Sequence, residues 1–117
     1  MPSREQVETA VRTYVEAVGR QDLEATVALF AEDARQEDPV GSPPNVGRDA
    51  VRAFFERAYR ASFTTTLTGP LLVTGDHAAV HFVITLPTDG DPFVVRVVDL
   101  LRFDDDGLIA DLRAVVD

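Results

Sequence analysis

Apolar positions recur at two periods along this chain, and the period changes once. Val7, Ala10, Val11, Tyr14, Val15 and Val18 follow one another at three- and four-residue steps, which places them on one face of a helix. Ser3 and Gln6 form a capping-box pattern ahead of them, and Gly19 is a natural stop. Asp22 opens a second, short helix carrying Leu23, Val27, Leu29 and Phe30. The stretch 34–44 ends in Pro39, Gly41, Pro43 and Pro44, so it reads as at most a short strand running into a loop. A third helix starts near Arg48-Asp49 and carries Val51, Phe54, Phe55 and Ala58 on one side. From Phe63 onward the pattern alternates. Residues 63–73, 77–86, 92–104 and 108–116 read as four strands, separated by Gly75-Asp76, Asp89-Gly90 and Asp106-Gly107, residues that tolerate the positive φ of tight turns. Pro70 marks a bulge or an edge position.

Helices followed by hairpin-linked strands predict an α+β domain, a curved antiparallel sheet packed against three N-terminal helices. Long strands twist and curl, and helices closing a curled sheet make a cone with an apolar pocket. With 117 residues, 1–117 is expected to be a single domain with a real core.

Composition then removes whole classes of chemistry. There are 20 acidic side chains against 11 basic ones, every basic one is Arg, and the formal charge is −9. The absence of Cys excludes disulfides, a thiolate nucleophile and thiolate metal sites. The absence of Lys excludes a Schiff-base amine and a phosphate-loop lysine. Unclustered arginines on so acidic a chain argue against nucleic acid as a partner. Met1-Pro2-Ser3-Arg4-Glu5 is polar at once, and no apolar run nears the ~20 residues of a membrane helix, so a soluble, cytoplasmic protein is expected. His77 and His81 would sit about 13 Å apart along a strand, too far to share an ion. Asp104-Asp105-Asp106-Gly107 lacks the rest of a calcium loop and reads as a solvated hairpin tip. No metal site is expected.

One residue does not fit its strand. Phe93, Val95, Val97, Leu101 and Phe103 alternate on one face, and Asp99 is in phase with them, while Arg96 and Arg102 fall on the other. Either Asp99 is paired with a buried Arg or wet at a pocket mouth, or desolvation keeps it protonated as a hydrogen-bond donor. Tyr14, on the apolar stripe of the first helix, is either a core tyrosine or a second donor into the same space. Asp38 either opens a turn before Pro39 or stands beside the pocket as a general base.

Glu37-Asp38-Pro39-Val40-Gly41-Ser42, together with Tyr14 and the late block Val98-Asp99-Leu100-Leu101-Arg102-Phe103, resembles the bacterial Δ5-3-ketosteroid isomerases of the nuclear transport factor 2-like (cystatin-like) superfamily. The resemblance runs over nearly the whole chain. It implies that Asp38 moves a proton from C4 to C6 of a Δ5-3-ketosteroid, and that Tyr14 and protonated Asp99 donate to the C3 oxygen. A protonated aspartic acid in that role is an established example of pKa tuning in this very family, not a deduction from these residues. The resemblance further implies a homodimer and no cofactor. Pattern alone suggests an apolar steroid lining of Val15, Phe54, Phe55, Phe82, Ile84, Val97, Leu101 and Leu112.

Two departures stand out. Phe30 and Phe55 occupy positions where some members extend a tyrosine network behind Tyr14, which implies weaker support for its hydroxyl. Val115 and Val116 stand where relatives present an aromatic ring, which implies a weaker hold on the steroid or a different preferred one. The rival readings are a non-catalytic binding module for an apolar ligand, and another enzyme of the superfamily, a polyketide cyclase or an epoxide hydrolase. Epoxide opening there uses an Asp-Arg-Asp arrangement, which the facing of Arg96 and Arg102 disfavours.

Overall fold

A computed structural model describes all 117 residues. Helix α1 spans Arg4–Gly19, and the Ser3 capping box forms as expected, with the Ser3 Oγ accepting from the Gln6 N–H and the Gln6 Oε1 from the Ser3 N–H. Its stripe of Val7, Val11, Tyr14, Val15 and Val18 is buried. Helix α2 is short, Leu23–Val27, and is capped by the Asp22 carboxylate on the Ala25 N–H. Helix α3 runs Arg48–Ala58 and buries Val51 and Phe55.

Seven strands form one sheet: β1 (Phe30–Glu37), β2 (Asn45–Val46), β3 (Thr64–Leu67), β4 (Leu72–Thr74), β5 (His77–Leu86), β6 (Phe93–Phe103) and β7 (Ile109–Val116). The order is β2-β1-β7-β6-β5-β3, with β4 also paired to β5. The α+β architecture with three helices on a curved, open sheet is the one expected. Three details differ from the sequence reading. Phe30 starts a strand rather than ending α2, and 30–37 is a full eight-residue strand where at most a short one was expected. That strand pairs parallel to β7, so the sheet is not wholly antiparallel. The stretch 63–73 is two strands, because the chain breaks at Gly69-Pro70 and both pieces pair with β5.

Polar composition hid β1. Glu32 and Asp33 face solvent, whereas Gln36 is fully buried, its Oε1 accepting from Asn45 Nδ2 at 3.1 Å and its Nε2 without a partner. Nineteen buried residues from α1, α3 and the inner faces of β1, β5, β6 and β7 make one continuous core. No helix is long and apolar enough to cross a membrane.

Candidate active site

Between the helices and the inner face of the sheet lies a cavity of about 360 Å³, lined by 17 residues of which 14 are hydrophobic. Tyr14, Asp38 and Asp99 all reach it. Three distant parts of the chain therefore converge, and the geometry of each element explains why. Tyr14 comes from the buried stripe of α1, where its ring meets Phe30 and Phe55 edge-on at 6.1 and 6.4 Å. Those two rings occupy the positions of the expected network, and Tyr14 makes no hydrogen bond to the protein. Its hydroxyl is left for whatever enters the cavity.

Asp99 stands in the middle of β6, between Val97 and Leu101, paired across to Val80 of β5 and Ala114 of β7. It is 1% exposed, and its Oδ1 is buried without a hydrogen-bond partner. The alternative of a buried arginine partner is not what the fold provides: Arg96 and Arg102 are exposed on the opposite face, Arg96 pairing with Asp117. Burial, and then the nearby Asp38 charge, hold the Asp99 carboxyl well above the usual carboxylate range. The shift favours its protonated form. Burial, with Asp99, Asp38 and Tyr59 adding to it, likewise pushes the Tyr14 phenol well above its ordinary value, so Tyr14 also keeps its proton.

Asp38 follows directly on β1, at a cis Asp38-Pro39 peptide bond. The loop behind it is tied down at several points. The Val40 N–H donates to the Ala114 carbonyl at 2.8 Å, the Ser42 Oγ donates to the Pro39 carbonyl at 2.6 Å, and the Gly41 N–H donates to the Glu37 Oε2 at 3.0 Å. Gly41 has φ 98°, a left-handed value that suits glycine. Burial pushes the Asp38 carboxyl from 3.8 up to about 6. It remains mostly ionised at pH 7. The cavity thus brings a phenol and two carboxyl groups together in an apolar setting, a combination that can move a proton on carbon if one carboxyl is ionised and the other neutral.

Of the apolar lining expected from pattern, Phe54, Phe55, Phe82, Ile84 and Val97 border the cavity. Val15, Leu101 and Leu112 do not, and this corrects the expectation. Leu101 and Leu112 point inward but pack fully into the core beside the cavity, and Val15 lies further round α1 toward β3, where its carbonyl accepts from Thr65 Oγ1 at 2.9 Å. Pattern did not point to Val18, Pro39, Ala58, Tyr59, Ala61, Phe63, Leu86, Val95 and Val116, which also border it. Val18 and Val95 were legible by phase with Tyr14 and Val97; Phe63 and Tyr59 required knowing how α3 leads into β3. A more open groove of about 430 Å³ on the outer face of the sheet holds Leu100, His77 and Arg113 and none of the three candidate residues.

The model of the SnoaL-like domain matches residues 11–112. A steroid Δ-isomerase of Nocardioides simplex is 38% identical over 93% of this chain and 88% of its own length. The epoxide hydrolase LasB of Streptomyces lasalocidi is 27% identical over 97% of this chain but only 48% of its own length. A cone of helices on a curved sheet, a matching domain model over most of the chain and a relative this similar end to end lead to one placement: the chain belongs to the SnoaL-like domain family and, within the nuclear transport factor 2-like superfamily, to the steroid Δ-isomerases.

Proposed function

We propose that this protein is an isomerase that converts a Δ5-3-ketosteroid into its conjugated Δ4 isomer without a cofactor. One observation carries the reading: the Asp99 Oδ1 is buried without a partner in an apolar cavity that Tyr14 and a partly desolvated Asp38 also reach. The steroid C3 ketone accepts hydrogen bonds from Tyr14 and neutral Asp99. The Asp38 carboxylate removes a proton from C4, and the C–H electron pair moves through C3 to its oxygen, giving a dienolate. The two donors stabilise that charge in a low-dielectric site. Protonated Asp38 then returns the same proton to C6, and the double bond moves from C5–C6 to C4–C5. Nothing is oxidised or reduced overall.

The lift of Asp38 to about 6 matters because a base works best when its pKa lies near the working pH. The separation of the two carboxyls gives each its role, one ionised and one neutral at the same pH. The test is direct. Purified protein with 5-androstene-3,17-dione should produce a rise in ultraviolet absorbance as the enone forms, and Asp38→Asn should remove the rise while the steroid still binds. Binding without any absorbance change above buffer would overturn the isomerase in favour of a binding module.

Epoxide opening is the second enzymatic reading, raised by the likeness to LasB. It requires an arginine beside the acids, and none lines this cavity. We also propose that the protein is a homodimer. Leu72, Ala79 and Leu100 lie in one cross-strand row on the outer face of the sheet, with Leu72 57% and Leu100 46% exposed, the kind of surface such an assembly covers. Light scattering should then give twice the 12.8 kDa of one chain.

A further inference from the structure

One lining residue outside the proposed mechanism carries a hydroxyl. Tyr59 follows α3, one turn after Phe55, and its ring meets Phe55 at 5.4 Å and Phe63 at 6.2 Å along the cavity wall. Phe63 leads into β3, on the flank of the sheet opposite to β1 and its Asp38. Tyr59 therefore lines the cavity wall between Phe55 and Phe63.

The direction of its hydrogen bond is fixed by proton counting. The Tyr59 oxygen lies 2.7 Å from Thr26 Oγ1, and Thr26 Oγ1 lies 2.7 Å from the Asp22 carbonyl oxygen. A carbonyl has no proton to give, so only Thr26 can donate in the second contact. Were Thr26 to turn its single proton to Tyr59 instead, two bare oxygens would face each other at 2.7 Å, and Thr26 is 0% exposed, with no water to relieve them. Thr26 is thus committed to Asp22, and Tyr59 must donate to Thr26. What Tyr59 has left for the cavity is lone pairs.

Resting on the steroid reading, we propose that Tyr59 is a specificity-determining residue that accepts a hydrogen bond from a ligand hydroxyl remote from the C3 ketone. The cavity is then polarised by hydrogen-bond sense. Tyr14 and Asp99 offer donors and select a carbonyl at one end; Tyr59 offers an acceptor and selects a hydroxyl at the other. A carbonyl presented to Tyr59 would bring two acceptors together in an apolar setting, which costs the desolvation of both.

The experiment compares two Δ4-3-ketosteroids that differ only at C17, one 17β-hydroxy and one 17-oxo, by equilibrium binding to the full chain. The wild-type protein should hold the hydroxy steroid about five- to tenfold more tightly, as one hydrogen bond near 1 kcal/mol implies. Tyr59→Phe should bring the two affinities together. Thr26→Val, close to the same shape, releases the Tyr59 proton and should turn the preference toward the 17-oxo steroid. Equal wild-type affinities, or a preference that survives Tyr59→Phe, overturn the proposal. Isomerisation of 5-androstene-3,17-dione by the same wild-type preparation separates the two readings: turnover without a hydroxyl preference sinks the role of Tyr59 alone. If neither steroid binds, both fall.

Discussion

In the proposed reaction Asp38 must be ionised and yet take a proton from carbon, and its burial suits both needs. With its carboxyl lifted to about 6, kcat/KM should climb through that pH as the base ionises, then level off. Any alkaline limb would report a proton lost from Tyr14 or Asp99, both of which are shifted upward from their ordinary values. A pH–rate profile with its acid limb near 4 would show that Asp38 is not desolvated in the working protein. Asp38→Asn should lower kcat on the order of 10³-fold, within the usual range for a general base. At Asp99 the comparison that matters is between two variants. Asp99→Asn keeps a neutral donor, whereas Asp99→Ala should cost about 10²-fold or more in kcat, as the loss of a donor to a developing oxyanion does. Equal losses in steady-state kinetics would mean that Asp99 does not act by donating.

At the scale of elements, the sheet and the helices divide the work, and their docking is tight at one glycine. Gly19 ends α1 against Thr65 of β3, where an added methyl would overlap the Thr65 Oγ1 and come within 3.3 Å of the Thr65 N. The hydroxyl cannot swing aside freely because it donates to the Val15 carbonyl at 2.9 Å. Replacing glycine by alanine in a helix ordinarily stabilises by up to about 1 kcal/mol. Here Gly19→Ala should instead destabilise by roughly 1–2 kcal/mol, read as a lower urea midpoint with an unchanged slope. Elements with a clean period were legible in the sequence: the α1 stripe, the Ser3 and Asp22 caps, and the alternation of β6 that singled out Asp99. β1 was not, since Gln36 is buried without being apolar, and its parallel pairing to β7 is a long-range fact that no local pattern encodes. The cavity lining failed for a related reason. Phase shows which face of a strand points inward, so Leu101 and Leu112 were rightly turned inside, but not where the core ends and the cavity begins.

For the whole molecule, the site is a cost to stability that pH should reveal. The Asp38 carboxyl binds its proton more tightly in the folded chain than in the unfolded one, so folding is disfavoured progressively as pH rises from 3.8 to about 6, and fully above that. The cost is roughly 2–3 kcal/mol at neutral pH, taking about 1.4 kcal/mol per unit. Asp38→Asn should therefore raise the melting temperature by several degrees at pH 8 and by little at pH 4, measured by calorimetry at both. A variant no more stable than wild type at pH 8 would count against a desolvated carboxylate. The same asymmetry places this protein among those that give up stability where they do chemistry.

Asp99 sits in the middle of β6 with strands bonded on both sides, against Val80 and Ala114. Its amide should be among the slowest in the molecule to exchange with deuterium, since opening it requires parting the centre of the sheet. That rigidity also has an evolutionary reading. In the proposed reaction the group that answers to the ketone is built into the centre of the sheet, while Tyr59 follows the end of a helix. New substrates for this scaffold are expected to arise by changes around that helix end, with the carbonyl end of the ligand kept the same.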